Sequence, residues 1–238
     1  MSIADPSARA AVTPARAWGA LTLLSALYIV SFVDRLILAL LIEPIKADLG
    51  ISDVQMGLLI GTSFALVFSI AGLPLARLAD TGNRVMLIFV GAVGWGISTA
   101  AAAFADSFAV LLLLRIGVAV GEAALTPAAM SLLSDMFPPA KRALPISIYV
   151  MVGVCGGSGA MLVGAAAIQA AAGMQGDAGI LGSLSAWRLT LLFVGLPAVV
   201  LALLIPFVIP RVPRGGAVEV PKASMKDVMA HYRANRVT

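Results

Sequence analysis

The chain is poor in the residue types on which most protein chemistry depends. Its 238 residues include one cysteine and one histidine, only 12% are charged, and aromatics make up 6%. Cys155 stands alone in an apolar run, which excludes a disulfide framework and a thiol metal site and leaves a small packed residue. No metal and no cofactor is expected. Scarcity of charge is matched by 61% hydrophobic residues and a mean hydropathy of +1.02, far outside the range of soluble domains, so the chain is read as an integral membrane protein. The sequence pI of about 9.6 does not point to nucleic acid, because the basic residues form no patch interleaved with aromatics.

What is present is six apolar stretches of membrane-crossing length: Ala17 to Ile42, Val54 to Leu75, Val85 to Ala105, Phe108 to Leu133, Leu144 to Ala172 and Trp187 to Ile209. They lack the period-two alternation of barrel strands, so each is expected to be a helix. The first is too long for a signal-peptide core and lacks a cleavage motif, and is expected to remain as an anchor. Residues 1–16 form a first segment, 17–209 the bundle, and 210–238 a linker rich in Pro and Gly, in which Ser224 can cap a short amphipathic helix carrying Met225, Val228, Met229 and Tyr232 on one face.

Orientation follows from Lys and Arg. Arg9, Arg16, Arg77, Arg84, Lys141, Arg142 and the basic residues after the sixth span lie on one side, against Lys46 and Arg188 on the other. The positive-inside rule then puts both termini in the cytoplasm of a cell inner (plasma) membrane protein. Short connections carry ordinary stop signals: Gly50 ends one turn, Ser52 with Gln55 fits a capping box, and Pro138 with Pro139 breaks the chain. The connection from Gly173 to Ala186 is Gly-rich.

Four ionisable residues, Asp34, Arg35, Arg115 and Glu122, interrupt these spans. A charge in hydrocarbon costs at least about 2.5–3.5 kcal/mol, so all four are expected to face a shared polar crevice and to function there. From the helical rise of about 1.5 Å per residue, Asp34 lies roughly 6 Å external to the midplane, Arg115 about 9 Å external, and Glu122 near it. Neighbours at i and i+1 diverge by about 100°, so Asp34 and Arg35 need partners on another helix. Depth pairs Asp34 with Arg115, and the long stem of Arg35 is expected to reach inward to Glu122. Burial and a neighbouring guanidinium act oppositely on a carboxyl, so Asp34 and Glu122 are the candidate proton-coupling groups. Arg35 and Arg115 are the candidate substrate-binding or charge-partner groups; permanently charged Arg115 is the better candidate for holding an anion.

Glycines four apart, Gly57 with Gly61, Gly117 with Gly121 and Gly153 with Gly157, are expected to let helices approach closely, and Pro127 to bend the fourth span below Glu122. The run Gly156-Gly157-Ser158-Gly159 invites comparison with intramembrane serine proteases, but a serine nucleophile needs a base in reach and His231 lies beyond the last span. An enzyme is not expected.

Several motifs resemble one family. Ala76-Arg77-Leu78-Ala79-Asp80-Thr81-Gly82-Asn83-Arg84 resembles the loop signature of the major facilitator superfamily. Leu112 through Gly121, with Arg115 and Gly117, resembles its fourth-helix motif, and Asp135, Pro138, Pro139 and Arg142 its exit from that helix. Phe32-Val33-Asp34-Arg35, Gly121-Glu122-Ala123 and Trp187-Arg188 are similar to the spinster-like branch. The resemblance implies an all-α membrane protein whose six transmembrane helices form one half of a major-facilitator-type fold. It also implies a secondary, alternating-access transporter, proton-coupled by symport, that moves a small organic or amphipathic anion. By the same resemblance Asp80, Arg84, Asp135 and Arg142 would form the cytoplasmic gating motif. Ala76, Thr81 and Asn83 depart from the signature, and the Gly-Pro step of antiporter fifth helices is absent, so the likeness does not extend to drug export. Such transporters have twelve helices arranged as two parallel repeats, so the chain is expected to be the N-terminal half. A coding fragment, a homodimer and a split transporter with a second six-helix half remain open, as does a non-transporting membrane partner. Protons, an anionic substrate and lipid are the expected partners.

Overall fold

The computed structural model describes residues 12–174 and 183–212. The amphipathic segment expected from Ser224, His231 and much of the connection after Gly173 lie outside the described residues. Six helices are long and apolar enough to cross a membrane: α1 Pro14–Leu40, α3 Asp53–Thr81, α4 Arg84–Ala102, α5 Phe108–Met136, α6 Ala143–Gly173 and α7 Ala186–Val208. Between the first two lies a short helix, α2 Ile42–Leu49, which was not expected from the sequence, where the first span ends at Ile42. The starts of α1 and α4, the ends of α3, α5 and α7 and the turn Pro139–Lys141 share one end of the bundle, called the near end below.

Local chemistry sets these boundaries. Pro14 stands at the first helical position of α1, where its missing N–H costs nothing. Gly50 ends α2 in the left-handed conformation, φ 62°, with its N–H on the Lys46 carbonyl at 2.9 Å. Ser52 and Gln55 then satisfy each other's backbone N–H in the expected capping box, at 2.9 and 3.3 Å. The second membrane helix runs to Thr81, so most of the signature expected as a loop is helical and the turn itself is only Gly82 and Asn83, whose side chain caps α4 at Met86 N.

Two helices are irregular where function is expected. In α3, Leu58–Thr62 widens to π geometry, and both the backbone N–H and the hydroxyl of Ser63 donate to the Leu58 carbonyl. α5 breaks at Ala124, whose N–H turns back to the Gly121 carbonyl at 3.4 Å, two residues after Glu122 and three before Pro127. The helical pattern is thus interrupted three residues before Pro127, in the stretch where a bend was expected.

Close approach of α4 to α5 depends on glycine: a Cβ at Gly121 would lie 2.6 Å from the Gly91 carbonyl oxygen. The pair Gly57 and Gly61, and Gly157, behave otherwise; a Cβ at any of them would meet nothing within 4 Å. They pack against no helix among the described residues, which corrects the sequence expectation for those positions. α3 is the least enclosed span, presenting Val54, Leu66, Ile70 and Leu73 outward.

Candidate functional site

The site is built where α1, α3, α4 and α5 meet. Asp34 and Arg35 come from the middle of α1, Thr99 from α4, Arg115 and Glu122 from α5, and Phe64 and Phe68 from the stretch of α3 that follows its π turn. Arg115 Nη1 donates to Asp34 Oδ1 at 3.2 Å and to the Asp34 carbonyl at 3.4 Å, while Nη2 donates to the Arg35 carbonyl at 3.3 Å. The Thr99 hydroxyl donates to the other oxygen of Asp34. Arg35 Nε donates to Glu122 Oε2 at 2.6 Å. Both pairings are the expected ones, Asp34 with Arg115 from depth and Arg35 with Glu122 from the reach of its stem.

The two pairs occupy different surroundings. Asp34 and Arg115 are 1% and 4% exposed, and the space beside them, walled by Leu38, Leu111, Val118 and Leu191, holds about 10 Å³, room for no more than one water. The Arg35 side chain is 25% exposed and opens the second pair to one face of the bundle. A single wet crevice serving all four charges, as expected from sequence, is thus corrected to one closed pair beside one open pair. Burial explains the difference: Thr99 and two backbone carbonyls meet most of the hydrogen-bonding needs of the closed pair, Arg115 Nε excepted, in place of solvent.

Aromatic rings connect the pairs. The Arg35 guanidinium carbon lies 4.7 Å from the Phe68 centroid, 5.5 Å from Phe64 and 5.4 Å from Phe32. That of Arg115 lies 4.5 Å from Phe64, so one ring touches both cations, each contact contributing about 0.5–2 kcal/mol. Two buried atoms are left over. Glu122 Oε1 and Arg115 Nε have no hydrogen-bond partner.

At the near end, Arg84 is 5% exposed and joins Asp135, the Ser131 hydroxyl and carbonyl, and the Val212 carbonyl. Arg142 instead donates to the Phe137 carbonyl at 2.9 Å, closing the turn after α5. Asp80 is exposed on the last turn of α3, apart from the Arg84–Asp135 pair. The four residues expected to form one motif are therefore one ion pair, one turn clamp and one solvated carboxylate. At the opposite end, Asp48 accepts from Trp187 Nε1 at 2.9 Å and Arg188 Nε at 3.1 Å, and Arg188 also holds the Ala103 carbonyl at 3.0 Å. Sequence reasoning singled out neither Thr99, Phe64, Phe68 nor Asp48. Among the described residues, no group of three His, Cys, Asp or Glu side chains could hold a metal.

A family model described as Major Facilitator Superfamily matches residues 24–237. A solved bacterial homologue of the human lysosomal transporter Spinster, inward-facing and unoccupied, is 34% identical with a TM-score of 0.78, over 94% of this chain and 50% of that one. An "MFS-type efflux pump" of Mycolicibacterium smegmatis is 33% identical over 196 residues, 82% of this chain and 42% of that protein. A "Probable L-galactonate transporter" of Escherichia coli is 27% identical over 121 residues, 51% of this chain and 26% of that protein. The chain thus spans half or less of the length of these relatives.

Proposed function

The chain belongs to the major facilitator superfamily, in its spinster-like branch, and from that premise we propose that it forms one wall of a proton-coupled, alternating-access transporter for a small organic or amphipathic anion. A second six-helix half, whether in a longer chain, a separate chain or another copy of this one, completes the substrate path. In this reading the near end of the bundle, which carries Arg77, Arg84, Lys141, Arg142 and Arg211, faces the cytoplasm, since only Lys46 and Arg188 stand at the opposite end.

The observation that carries this reading is the open pair: Arg35, 25% exposed, held by one oxygen of Glu122 while the other oxygen has no partner. An anion arriving at the exposed face competes for the guanidinium. Glu122, then stripped of its cation in apolar surroundings, is neutralised by a proton, and the anion and proton are carried together. Arg35 is the better substrate contact than Arg115, because Arg115 is enclosed and committed to Asp34 and two carbonyls. Asp34 is the second coupling group: locked by Thr99 and Arg115, it gains access to a proton only when α1 and α5 separate. Transport, not catalysis, is the activity.

The test is uptake into proteoliposomes holding the chain together with the half that completes it, driven by an imposed pH gradient. Glu122→Gln keeps the shape of the carboxyl and removes its titration. The variant is expected to insert and fold but to lose the response to the gradient; undiminished gradient-driven uptake would refute the coupling role. A second reading of direction, export, is favoured by the M. smegmatis relative, which is named an efflux pump. Loading substrate inside rather than outside the vesicles separates the two directions.

A further inference from the structure

We propose that the near end of the bundle holds a binding site for the phosphate headgroup of an anionic phospholipid, separate from the transport site. A cleft of about 710 Å³ opens there between the start of α1, the start of α4 and the end of α7. Arg16 and Arg211 line it, and Thr13 and Asn83 stand at its polar edge. Neither arginine is engaged by a carboxylate among the described residues, and no acidic residue lines the cleft. α1 and α4 both begin at this cleft, so their N-terminal ends add partial positive charge to the two guanidinium groups. The Thr13 hydroxyl makes no capping bond and is free to donate.

The other wall is apolar. Met86, Phe89, Ile205 and Phe207 line it, and Phe207 and Met86 are 84% and 53% exposed, continuous with the surface that faces acyl chains. A free phosphate would use the arginines but not this wall; a phospholipid uses both, with the headgroup at the helix ends and the first part of a chain along the phenylalanines. Electrostatics also disfavours the chain's own tail as occupant, because residues 213–238 carry Arg214, Lys222, Lys226, Arg233 and Arg236 against Glu219 and Asp227. The transport reading enters only in naming the cytoplasmic leaflet as the source of the lipid, so failure of either leaves the other standing.

The full chain, delipidated in detergent, is titrated with phosphatidylglycerol or phosphatidylcholine and read by native mass spectrometry. Preference for phosphatidylglycerol is expected. The double variant Arg16→Gln with Arg211→Gln should bind it about 30-fold more weakly, from about fivefold for each cation lost. Arg77→Gln with Lys141→Gln, which removes two exposed charges at the same end but outside the cleft, should leave affinity unchanged. Arg211→Gln alone, beyond the end of α7, guards against a folding defect and should show about a fifth of the affinity on its own. Equal binding of both lipids, unaltered phosphatidylglycerol binding by the folded double variant, or equal loss in the control pair would overturn the site. Displacement of the lipid by millimolar inorganic phosphate would overturn the lipid assignment.

Discussion

Replacing Asp34 with Asn tests whether charge joins α1 to α5. Solvent screens the Asp34–Arg115 pair very little, since the two residues are 1% and 4% exposed. In the variant the amide oxygen still accepts a hydrogen bond, but Arg115 keeps its charge with only the carbonyls of residue 34 and Arg35 opposite it, at 3.4 and 3.3 Å. Breaking a buried pair by removing one partner costs about 3–5 kcal/mol. The remaining acceptors offset part of that, leaving a loss of about 2–3 kcal/mol. For a chain of this size, with about 2–4 °C per kcal/mol, the thermal midpoint in detergent should fall by about 5–10 °C. Arg115→Gln should do similar damage by leaving Asp34 with Thr99 alone. The double variant places two neutral amides face to face and should unfold closer to the parent than the sum of the singles allows, with a coupling above about 1.5 kcal/mol. Additive single effects, or an Asp34→Asn midpoint equal to the parent's, would refute the argument that this pair ties the two helices.

Other expectations follow from the same coordinates. Gly121→Val should separate α4 from α5, because a Cβ there would lie 2.6 Å from the Gly91 carbonyl oxygen and 2.9 Å from the Trp95 backbone nitrogen; a cost of about 1–3 kcal/mol should appear as a lower thermal midpoint. Gly57→Ala and Gly157→Ala, with no neighbour to meet, should leave that midpoint unchanged or slightly raised. Asp48→Ala removes the acceptor shared by Trp187 and Arg188, and the buried indole N–H left behind should cost about 1–3 kcal/mol, seen as faster hydrogen exchange at the start of α7. Lys46, outside the spans, has its pKa raised first by the hydrogen bond to Asp53, 2.6 Å away, and then by that carboxylate's charge. Its contribution to stability is therefore complete below the ordinary lysine range and lost as pH rises through the raised value. Asp53→Asn should bring the titration of Lys46 down, as measured by NMR.

The spans were legible because the bilayer imposes one requirement on every residue within them: a backbone satisfied inside its own segment and a side chain at home in hydrocarbon. Ends were less so. Helix α3 continues to Thr81 rather than stopping near Leu75, since Ala76, Leu78 and Ala79 are as compatible with a helix as with a turn, and Gly82 is the first residue to end it. The separate helix α2 was hidden for the same reason: Leu41 interrupts the backbone pattern without a proline or glycine to mark it. The π turn at Leu58–Thr62 carries no compositional sign at all; a hydroxyl reaching the Leu58 carbonyl from Ser63 is visible only in coordinates. Glycine spacing was a partial guide. Four-residue rows permit close approach, yet Gly121 uses that permission within this chain and Gly57 does not.

Why the buried pairs could be anticipated and the near-end motif could not is a matter of what misplacement costs. Four charges within the spans admit few neutral pairings, and helical rise puts Asp34 level with Arg115, which leaves the long stem of Arg35 to reach Glu122. Neutral partners are under no such constraint. A threonine hydroxyl can return its hydrogen bond to its own helix, as Thr190 does to the Ala186 carbonyl, so nothing in the sequence separates it from Thr99, which reaches Asp34. Phe64 and Phe68 are at home against lipid, and only the turn preceding them brings them over the guanidinium groups. At the near end water supplies an alternative partner at little cost. Asp80 can therefore stand solvated while Asp135 alone engages Arg84, and a motif drawn from resemblance names the residues without determining which of them touch.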